Sequence, residues 1–195
     1  MKSSYKEDGM IIIDDFLPLD IVNKLEQLYT SEKKWDIVDQ VRENHYSHVF
    51  KMDSLTFPKE DEVYMAHFKR SMFLEDKIND VFEKFFKPKL NELSDLVLSE
   101  FDVRCYKLGK GDFYRTHMDD YAGTIGTTFY LNKNWCWDWG GILHIGVEDD
   151  SLNSIFPKYN RLVVHDMKKF RFPHFISPVT DYAKSSRYTI VSFNK

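Results

Sequence analysis

The C-terminal half of the sequence is a series of short β-type runs, and this pattern limits the possible folds more than any other feature. From Phe101 onward, apolar, aromatic and β-branched residues cluster between breaks rich in Gly and Asn. Several short strands at such intervals are typical of a β-sandwich or a β-barrel. We predict strands at residues 101–107, 112–118, 125–131, 141–147, 161–166, 173–179 and 187–194.

The N-terminal half has a more helical pattern. An apolar run at 10–13 predicts a buried strand, and apolar residues at i, i+3 and i+4 predict a helix over 19–29. Residues 61–98 have a similar periodicity and are expected to be mostly helix. Residues 1–9 are interpreted as a polar tail, and 30–60 as an irregular connection with short strands or a functional loop.

Helices that precede a series of strands predict the α+β class, with the helices packed on one side of a β core. We therefore expect a jelly roll with N-terminal supporting helices. The length of 195 residues suits a single domain over 1–195. Residues 1–100 would supply the helical support and the first strands, and residues 101–195 the core jelly roll with any site that it carries.

Composition argues against two classes of partner. The net charge is −4, whereas a nucleic-acid-binding chain usually carries a basic excess, so we expect no nucleic acid. No run approaches the roughly 20 apolar residues of a membrane span, so we expect no membrane. The start of the chain lacks an apolar leader segment, and Cys105 and Cys136 form no close motif. These features favour free thiols in the cytoplasm, and they leave the oligomeric state open.

Three residues could together hold a metal ion. His117 and Asp119 lie two apart in a predicted strand and should therefore face the same side. His174, on a later predicted strand, is the third candidate. Two imidazoles and one carboxylate on one side of an ion form the facial triad of non-haem Fe(II) oxygenases. That triad leaves coordination positions open for a keto acid and for O2.

The His-x-Asp spacing alone is weak, because it arises by chance in many chains. Five further histidines are present, and each is expected to be a surface residue or a satisfied core imidazole; they are His45, His48, His67, His144 and His165. His144 and His165 fit that interpretation best, because they lie on predicted strands without a carboxylate two residues later.

Arg187, on the last predicted strand, strengthens the hypothesis of an oxygenase metal site that binds a keto acid. A buried arginine offers a rigid fork of donors that matches a carboxylate. A dicarboxylic keto acid that binds a metal at one end needs such an anchor at its other end.

From Arg104 to the C-terminus, the sequence resembles the prolyl hydroxylases of the 2-oxoglutarate oxygenase superfamily, in particular the hypoxia-sensing type. Residues 1–100 match only in general style, a strand followed by helices. The stretches that carry the resemblance are Tyr106 with Gly109, His117-x-Asp119, 130–135 (YLNKNW), 140–143 (GGIL), 157–162 (PKYNRL), Pro173-His174 and Arg187-Tyr188.

The resemblance implies a double-stranded β-helix, which is a jelly roll. It also implies Fe(II), 2-oxoglutarate and O2, with ascorbate as a supporting reductant. It implies roles for eight residues: His117, Asp119 and His174 as iron ligands, Arg187 and Tyr130 on the distal carboxylate of 2-oxoglutarate, Tyr106 near the iron, and Leu143 and Ile176 against the methylenes of the co-substrate.

Several functions stay open on the sequence. The resemblance favours hydroxylation of a prolyl residue in a protein or peptide. A hydroxylase of a free amino acid, another small molecule or another side chain would use the same centre. A jelly-roll binding module without turnover is the alternative from another class, and a zinc hydrolase is a distant fourth. Residues 30–60 and 148–158 are the candidate loops that close the site.

A few aromatic and charged residues near the motifs have no settled role. Trp135, Trp137 and Trp139 are interpreted as rim or core aromatics, with a substrate-lining role second. Arg115 could contact the substrate or the co-substrate, or form a surface salt bridge.

Overall fold

The computed structural model describes residues 2–7, 9–42, 63–94, 98–117, 119, 125–146, 151–167, 169 and 173–194. Within these ranges the strands are β1 (Lys2–Glu7), β2 (Met10–Asp14), β3 (Asp36–Arg42), β4 (Val63–Arg70), β5 (Phe101–Leu108), β6 (Phe113–His117), β7 (Ile125–Tyr130), β8 (Leu143–Gly146), β9 (Leu152–Ile155), β10 (Arg161–Asp166), β11 (His174–Ile176) and β12 (Arg187–Asn194). The helices are α1 (Leu19–Ser31), α2 (Met72–Val81) and α3 (Lys87–Ser94), with a π-helical turn at Phe82–Phe86 and a 3₁₀ turn at Trp137–Trp139.

The strands form one curled antiparallel sheet with two walls. The first wall has the order β1-β2-β10-β7-β12-β5-β4, and the second has the order β6-β11-β8-β9. The walls join at β4, which pairs with β5 through Lys69 and Arg70 and with β6 through Ala66 and His67. The predicted jelly roll, or double-stranded β-helix, is confirmed.

The helices cover the outer face of the first wall. Phe86 lies at the centre of this contact, with ring centroids 4.9 Å from Phe16, 5.2 Å from Phe82 and 5.2 Å from Phe129. Phe86 is fully buried, and Ile190 of β12 belongs to the same cluster. The apolar face of each helix therefore packs on a strand face, which confirms the expected supporting role of the helices.

The side chains of the first wall that do not contact the helices lie on its inner face. On β5, Val103 and Cys105 pack with the helix cluster, whereas Arg104 and Tyr106 line an internal cavity. Because successive side chains of a strand point to opposite faces, each inner strand contributes every second residue to the cavity.

Two predictions about the N-terminal half are wrong. Residues 2–7, expected to be a tail, form β1 and pair with β2. Residues 63–70, expected to be helical, form β4. Pairing with a neighbouring strand overrides local preference, because the backbone hydrogen bonds of the pair hold the chain extended. For β1 the partner is the next strand, β2, and for β4 the partners are β3, β5 and β6. No helix in the described part of the chain is long and apolar enough to cross a membrane.

Candidate active site

Two histidines face each other across a strand pair. β6 and β11 are antiparallel, and His117 lies directly opposite His174. Their ring centroids are 4.3 Å apart. The Asp119 carboxylate reaches both imidazoles: Oδ1 lies 3.4 Å from His117 Nε2, and Oδ2 lies 3.2 Å from His174 Nε2.

Asp119 does not lie on a strand, which corrects the prediction that it shares one with His117. β6 ends at His117, and Asp119 follows that end. The carboxylate still meets both imidazoles, because it reaches them from beyond the end of the strand.

The three side chains fit one metal ion. Their potential ligand atoms all lie within 4.8 Å of one another. Ligand atoms bound at about 2.1 Å and at right angles to each other are about 3 Å apart, close to the distances found here. His117 Nδ1 lies 2.8 Å from the Arg115 carbonyl oxygen, to which it must donate, so Nε2 is left as the metal-binding atom.

The electrostatics of the cluster favour an ionised carboxylate. Burial acts to raise the pKa of Asp119, but the hydrogen bond with His174 and the charge of His117 outweigh it and lower the pKa to about 2. A fourth imidazole, His165, has its ring centroid 6.2 Å from that of His174. Burial lowers the pKa of His165 to about 3, so this side chain is uncharged at neutral pH.

A cavity of about 510 Å³ extends from the cluster along the inner face of the first wall. This volume is typical of small-molecule sites. Most of the surface of its walls is apolar, but charged and polar side chains also line it at many points. They include His117, Asp119, His165 and His174 near one another, Asp102 and Arg104 on β5, and Arg187 and Thr189 on β12.

Arg187 is a buried cation that lacks an acidic partner among the described residues. Its side chain is only 1% exposed. Its Nε and Nη2 atoms, Tyr130 Oη and Thr189 Oγ1 lack hydrogen-bond partners of good geometry within the described part of the chain. The guanidinium carbon lies 5.0 Å from the centre of the Tyr130 ring, so the two groups interact electrostatically. Unpaired buried donors are costly, and a carboxylate would satisfy them.

Gly141 makes room for this arginine, and the adjacent Gly140 makes room for a backbone carbonyl group. Gly140 and Gly141 have positive φ values of 64° and 63°, a conformation that L side chains rarely adopt. A Cβ on Gly141 would lie 3.0 Å from Arg187 Cδ, and a Cβ on Gly140 would lie 2.0 Å from the Pro178 carbonyl oxygen. The Gly-Gly motif therefore allows the backbone to pass close behind the guanidinium.

Comparison with known proteins identifies the family. Residues 101–194 match the model of the 2OG-Fe(II) oxygenase superfamily. This part of the chain belongs to that superfamily. The protein is thus a 2-oxoglutarate-dependent dioxygenase that uses Fe(II), 2-oxoglutarate and O2, as the sequence predicted. These cofactors fit the residues present, because the His-Asp-His cluster suits the metal and the unpaired Arg187 suits a carboxylate.

Solved structures share the fold of this oxygenase. A Pseudomonas putida prolyl-4-hydroxylase matches with a TM-score of 0.66 and 19% identity, covering 96% of this chain and 92% of the other. A Trichoplax adhaerens prolyl hydroxylase in complex with a hypoxia inducible factor peptide fragment matches with a TM-score of 0.62 and 19% identity. The match covers 96% of this chain and 83% of the other. A Burkholderia pseudomallei 2OG-Fe(II) oxygenase matches with a TM-score of 0.63 and 12% identity, covering 95% of this chain and 84% of the other. No curated protein matches the chain.

The cavity of the oxygenase brings most of the predicted site residues together. Tyr106, Leu143 and Ile176 line it with the triad and Arg187. Tyr130 is fully buried and is not part of the cavity lining; it lies against the Arg187 guanidinium instead.

Several other residues with sequence-based expectations lie away from the cavity. Trp135 is buried and donates to the Gly140 carbonyl oxygen, Trp137 is exposed, and Trp139 packs against Trp135. Arg115 is exposed, and His144 bonds Ser154 and stacks on Phe175. Of the candidate closing loops 30–60 and 148–158, residues 43–60 and 148–150 lie outside the described residues, 36–42 is β3 and 152–155 is β9.

Sequence reasoning missed several cavity residues, among them Asp102, Arg104, His165 and Thr189. The alternation of side chains between the two faces of a strand could have identified Arg104 and Thr189. Arg104 lies two residues before Tyr106, and Thr189 lies two residues after Arg187, so each shares the inner face with a residue that was identified. His165 carries no such signal, because its proximity to His174 depends on how the walls curl.

Proposed function

We propose that this oxygenase hydroxylates a prolyl residue of a protein or peptide and releases succinate and CO2. Two structures that share its fold are described as prolyl hydroxylases, and one of them holds a peptide. The fold likeness alone leaves the substrate of this chain to be tested, so the proposal rests mainly on the cavity.

One observation carries the proposal: the cavity is larger than the co-substrate needs, and part of its wall beside the metal ligands is apolar and aromatic. Phe68, Tyr114 and Ile176 line this part, and the Tyr114 ring lies 4.3 Å from that of His117. An uncharged five-membered ring is a suitable occupant, because it can pack on these side chains without burying an unpaired polar group.

We assign roles to the residues as follows. His117, Asp119 and His174 hold Fe(II), and Arg187 holds the distal carboxylate of 2-oxoglutarate with the Tyr130 hydroxyl beside it. Tyr106 lies on the inner face near the metal end, and Leu143 and Ile176 pack on the methylenes of the co-substrate. The positions of these side chains around one cavity, or directly behind its lining, support the assignment.

Bound Fe(II), with 2-oxoglutarate and O2, supplies the oxidising chemistry, in which one oxygen atom goes to the substrate and the other to succinate. The side chains of the protein bind and orient the reactants. Arg187 fixes one end of the co-substrate, and the apolar walls keep water away from the site. The Arg115 carbonyl oxygen holds the His117 ring in the orientation that presents Nε2.

The test combines succinate release with mass spectrometry of peptides that contain proline. The purified protein receives Fe(II), 2-oxoglutarate and peptides with a central Pro, matched peptides with Ala at that position, and free L-proline. The proposal expects one added oxygen atom, located on the Pro by fragmentation, only in the Pro peptides. His174→Ala is the inactive control.

Two outcomes would contradict the proposal. Oxygen addition to free proline but not to the peptides would favour the small-molecule hydroxylase. Oxygen addition to another side chain, equally in the Pro and the Ala peptides, would replace the prolyl assignment with a different target residue.

A further inference from the structure

A second arginine lies on the same cavity wall as Arg187 but at its other end. On the inner face of β5 and β12, cross-strand pairs form successive rows. Arg187 lies opposite Leu108, and four residues further along β12 Val191 lies opposite Arg104. At about 3.3 Å per residue, these rows are about 13 Å apart. The final row contains Phe193 and Asp102.

The metal site lies towards the Arg104 end. Phe193 pairs with Gly126 of β7, and Gly126 pairs with His165 of β10, so His165 lies in the final row of the wall. The His165 ring is 6.2 Å from the ring of the metal-binding candidate His174. Register therefore places the triad near Arg104 and leaves Arg187 at the far end of the cavity.

The co-substrate has no carboxylate left for Arg104. 2-Oxoglutarate has two carboxylates, about 5 Å apart along four C–C bonds. In the proposed site, one carboxylate would lie at the metal end of the co-substrate, and Arg187 would bind the other. Arg104 is thus available to a different ligand.

The Arg104 end is also the open end of the cavity. The Arg187 side chain is 1% exposed, whereas the side chains of Arg104 and Asp102 are 32% and 28% exposed. A substrate that reaches the metal from solvent on this side passes the pair formed by Asp102 and Arg104.

The guanidinium of Arg104 is held in place and stays charged. Nε donates to Asp102 Oδ2 at 3.0 Å, Nη2 donates to the same oxygen, and Nη1 contacts Tyr106 Oη at 3.3 Å. The guanidinium carbon lies 5.3 Å from the centre of the Phe193 ring. Burial acts to lower the pKa of Arg104, but the hydrogen bond to Asp102 outweighs it and raises the pKa.

Folding does not explain why this pair occupies the cavity wall. Partly exposed ion pairs contribute little to stability. The carboxylate of Asp102 occupies one edge of the Arg104 guanidinium. A guanidinium has five N–H groups, and the contacts of Arg104 within the described part of the chain do not use all of them. The pair therefore orients a cation that can still donate to a ligand.

We propose that Arg104, oriented by Asp102, binds a carboxylate of the substrate next to the carbon that is oxidised. The inference rests on the proposed hydroxylase function and specifies its substrate class. The carboxylate belongs either to an acidic residue beside the target in a peptide or to the terminal carboxylate of a free amino acid or C-terminal residue. Both sources share the chemistry that a guanidinium recognises.

The experiment measures binding and turnover separately. The protein, loaded with Mn(II) and 2-oxoglutarate without O2, is titrated with three matched peptides in which the central Pro is flanked by Asp, Asn or Lys. Each peptide is made with a C-terminal acid and with an amide, and L-proline is compared with L-prolinamide. We expect the carboxylate-bearing member of at least one pair to bind roughly ten- to hundredfold tighter than its neutral counterpart.

Variants connect that preference to Arg104. In the Arg104→Gln variant, carboxylate-bearing and neutral probes should bind about equally. Arg104→Lys should retain part of the preference for the carboxylate, because the positive charge stays while the two-pronged hydrogen-bonding geometry of the guanidinium is lost. Arg70→Gln is the matched control, because Arg70 is 34% exposed, is also paired with a carboxylate, Glu75, and does not line the cavity. Circular dichroism and thermal unfolding verify that each variant folds.

The outcomes separate this inference from the proposed function. Equal binding of acid and neutral probes, no binding of any carboxylate probe, or an unchanged preference in a folded Arg104→Gln protein would overturn the inference. Hydroxylation of a Pro peptide without any acid preference would leave the proposed function intact while the inference fails. An Arg104-dependent acid preference without hydroxylation of proline would support the inference and contradict the prolyl assignment.

Discussion

His117 lies directly opposite His174 in the antiparallel pairing of β6 with β11, and their rings are 4.3 Å apart. A shift of the register by one residue would turn either side chain to the other face of the sheet. The backbone pairing of these two short strands therefore sets the geometry of the metal site, and the Asp119 carboxylate completes it from beyond the strand end.

Substitution His174→Ala should abolish turnover, because one of three metal ligands is lost. Fe(II) affinity, measured by anaerobic titration, should fall by at least tenfold, and succinate release should fall to background. His144→Ala is the control, because His144 lies on the neighbouring strand β8, outside the cavity, and stacks on Phe175 next to His174. Unchanged succinate release by a folded His174→Ala protein would disprove the ligand assignment.

Arg187→Met should weaken co-substrate binding by about a hundredfold or more, since a charge-assisted bidentate contact is lost. Fe(II) affinity should change far less. Removal of an unpaired buried cation should not lower, and could raise, the free energy of unfolding without co-substrate. Thermal unfolding with and without 2-oxoglutarate measures both effects, because a ligand that binds only the folded state raises the Tm.

A parent-like rise of Tm with 2-oxoglutarate in the Arg187→Met protein would show that the anchor is elsewhere. Arg70→Met serves as the control, since Arg70 lies outside the cavity and should leave the co-substrate-dependent rise of Tm intact.

Gly141→Ala should impair co-substrate binding as well as stability. The added Cβ would lie 3.0 Å from Arg187 Cδ and 3.3 Å from Trp135 Cζ2, at a backbone φ of +63°. The positive φ costs about 1–2 kcal/mol. Gly111→Ala is a matched control, because Gly111 also has a positive φ, +80°, but nothing lies within 4 Å of its added Cβ. Both variants should lose stability in chemical denaturation, and only Gly141→Ala should bind 2-oxoglutarate more weakly.

Acid should remove the stabilising contribution of Asp14. The hydrogen bond from Arg161 lowers the pKa of the Asp14 carboxyl despite the opposing effect of burial, and Lys158 adds to the lowering. A carboxyl with a lowered pKa in the folded state stabilises the protein above its unfolded pKa, about 3.9. That contribution disappears as the pH falls through the lower folded value.

The Asp14→Asn variant provides the measurement. Its Tm should lie a few degrees below that of the parent at neutral pH, and the two values should converge as the pH falls below about 4. Asp76→Asn, at an exposed position of α2, is the control. A difference in Tm that stays constant down to strongly acidic pH would show that Asp14 acts through something other than its charge.

The sequence determined the chemistry of the site. The residue types at 117, 119, 174 and 187 specify a metal and a dicarboxylic keto acid without any coordinates, because few side chains can perform those tasks. The alternation of apolar residues in 101–194 likewise predicted the β core, since burial of one strand face requires that pattern. Strand β4 could not be predicted, because it is held by β5 and β6 from later in the chain. Strand β1 was missed because its polar sequence lacks an apolar pattern, although it pairs with the adjacent β2.

Tertiary structure alone decided which further side chains face the cavity. The position of Asp102 and Arg104 on the inner face, at the open end of the cavity, follows from the row that links β5, β12, β7 and β10. His165 approaches His174 for the same reason. Local sequence encodes the face of a strand on which a residue lies, but the curl of the sheet decides which distant residue it meets across the cavity.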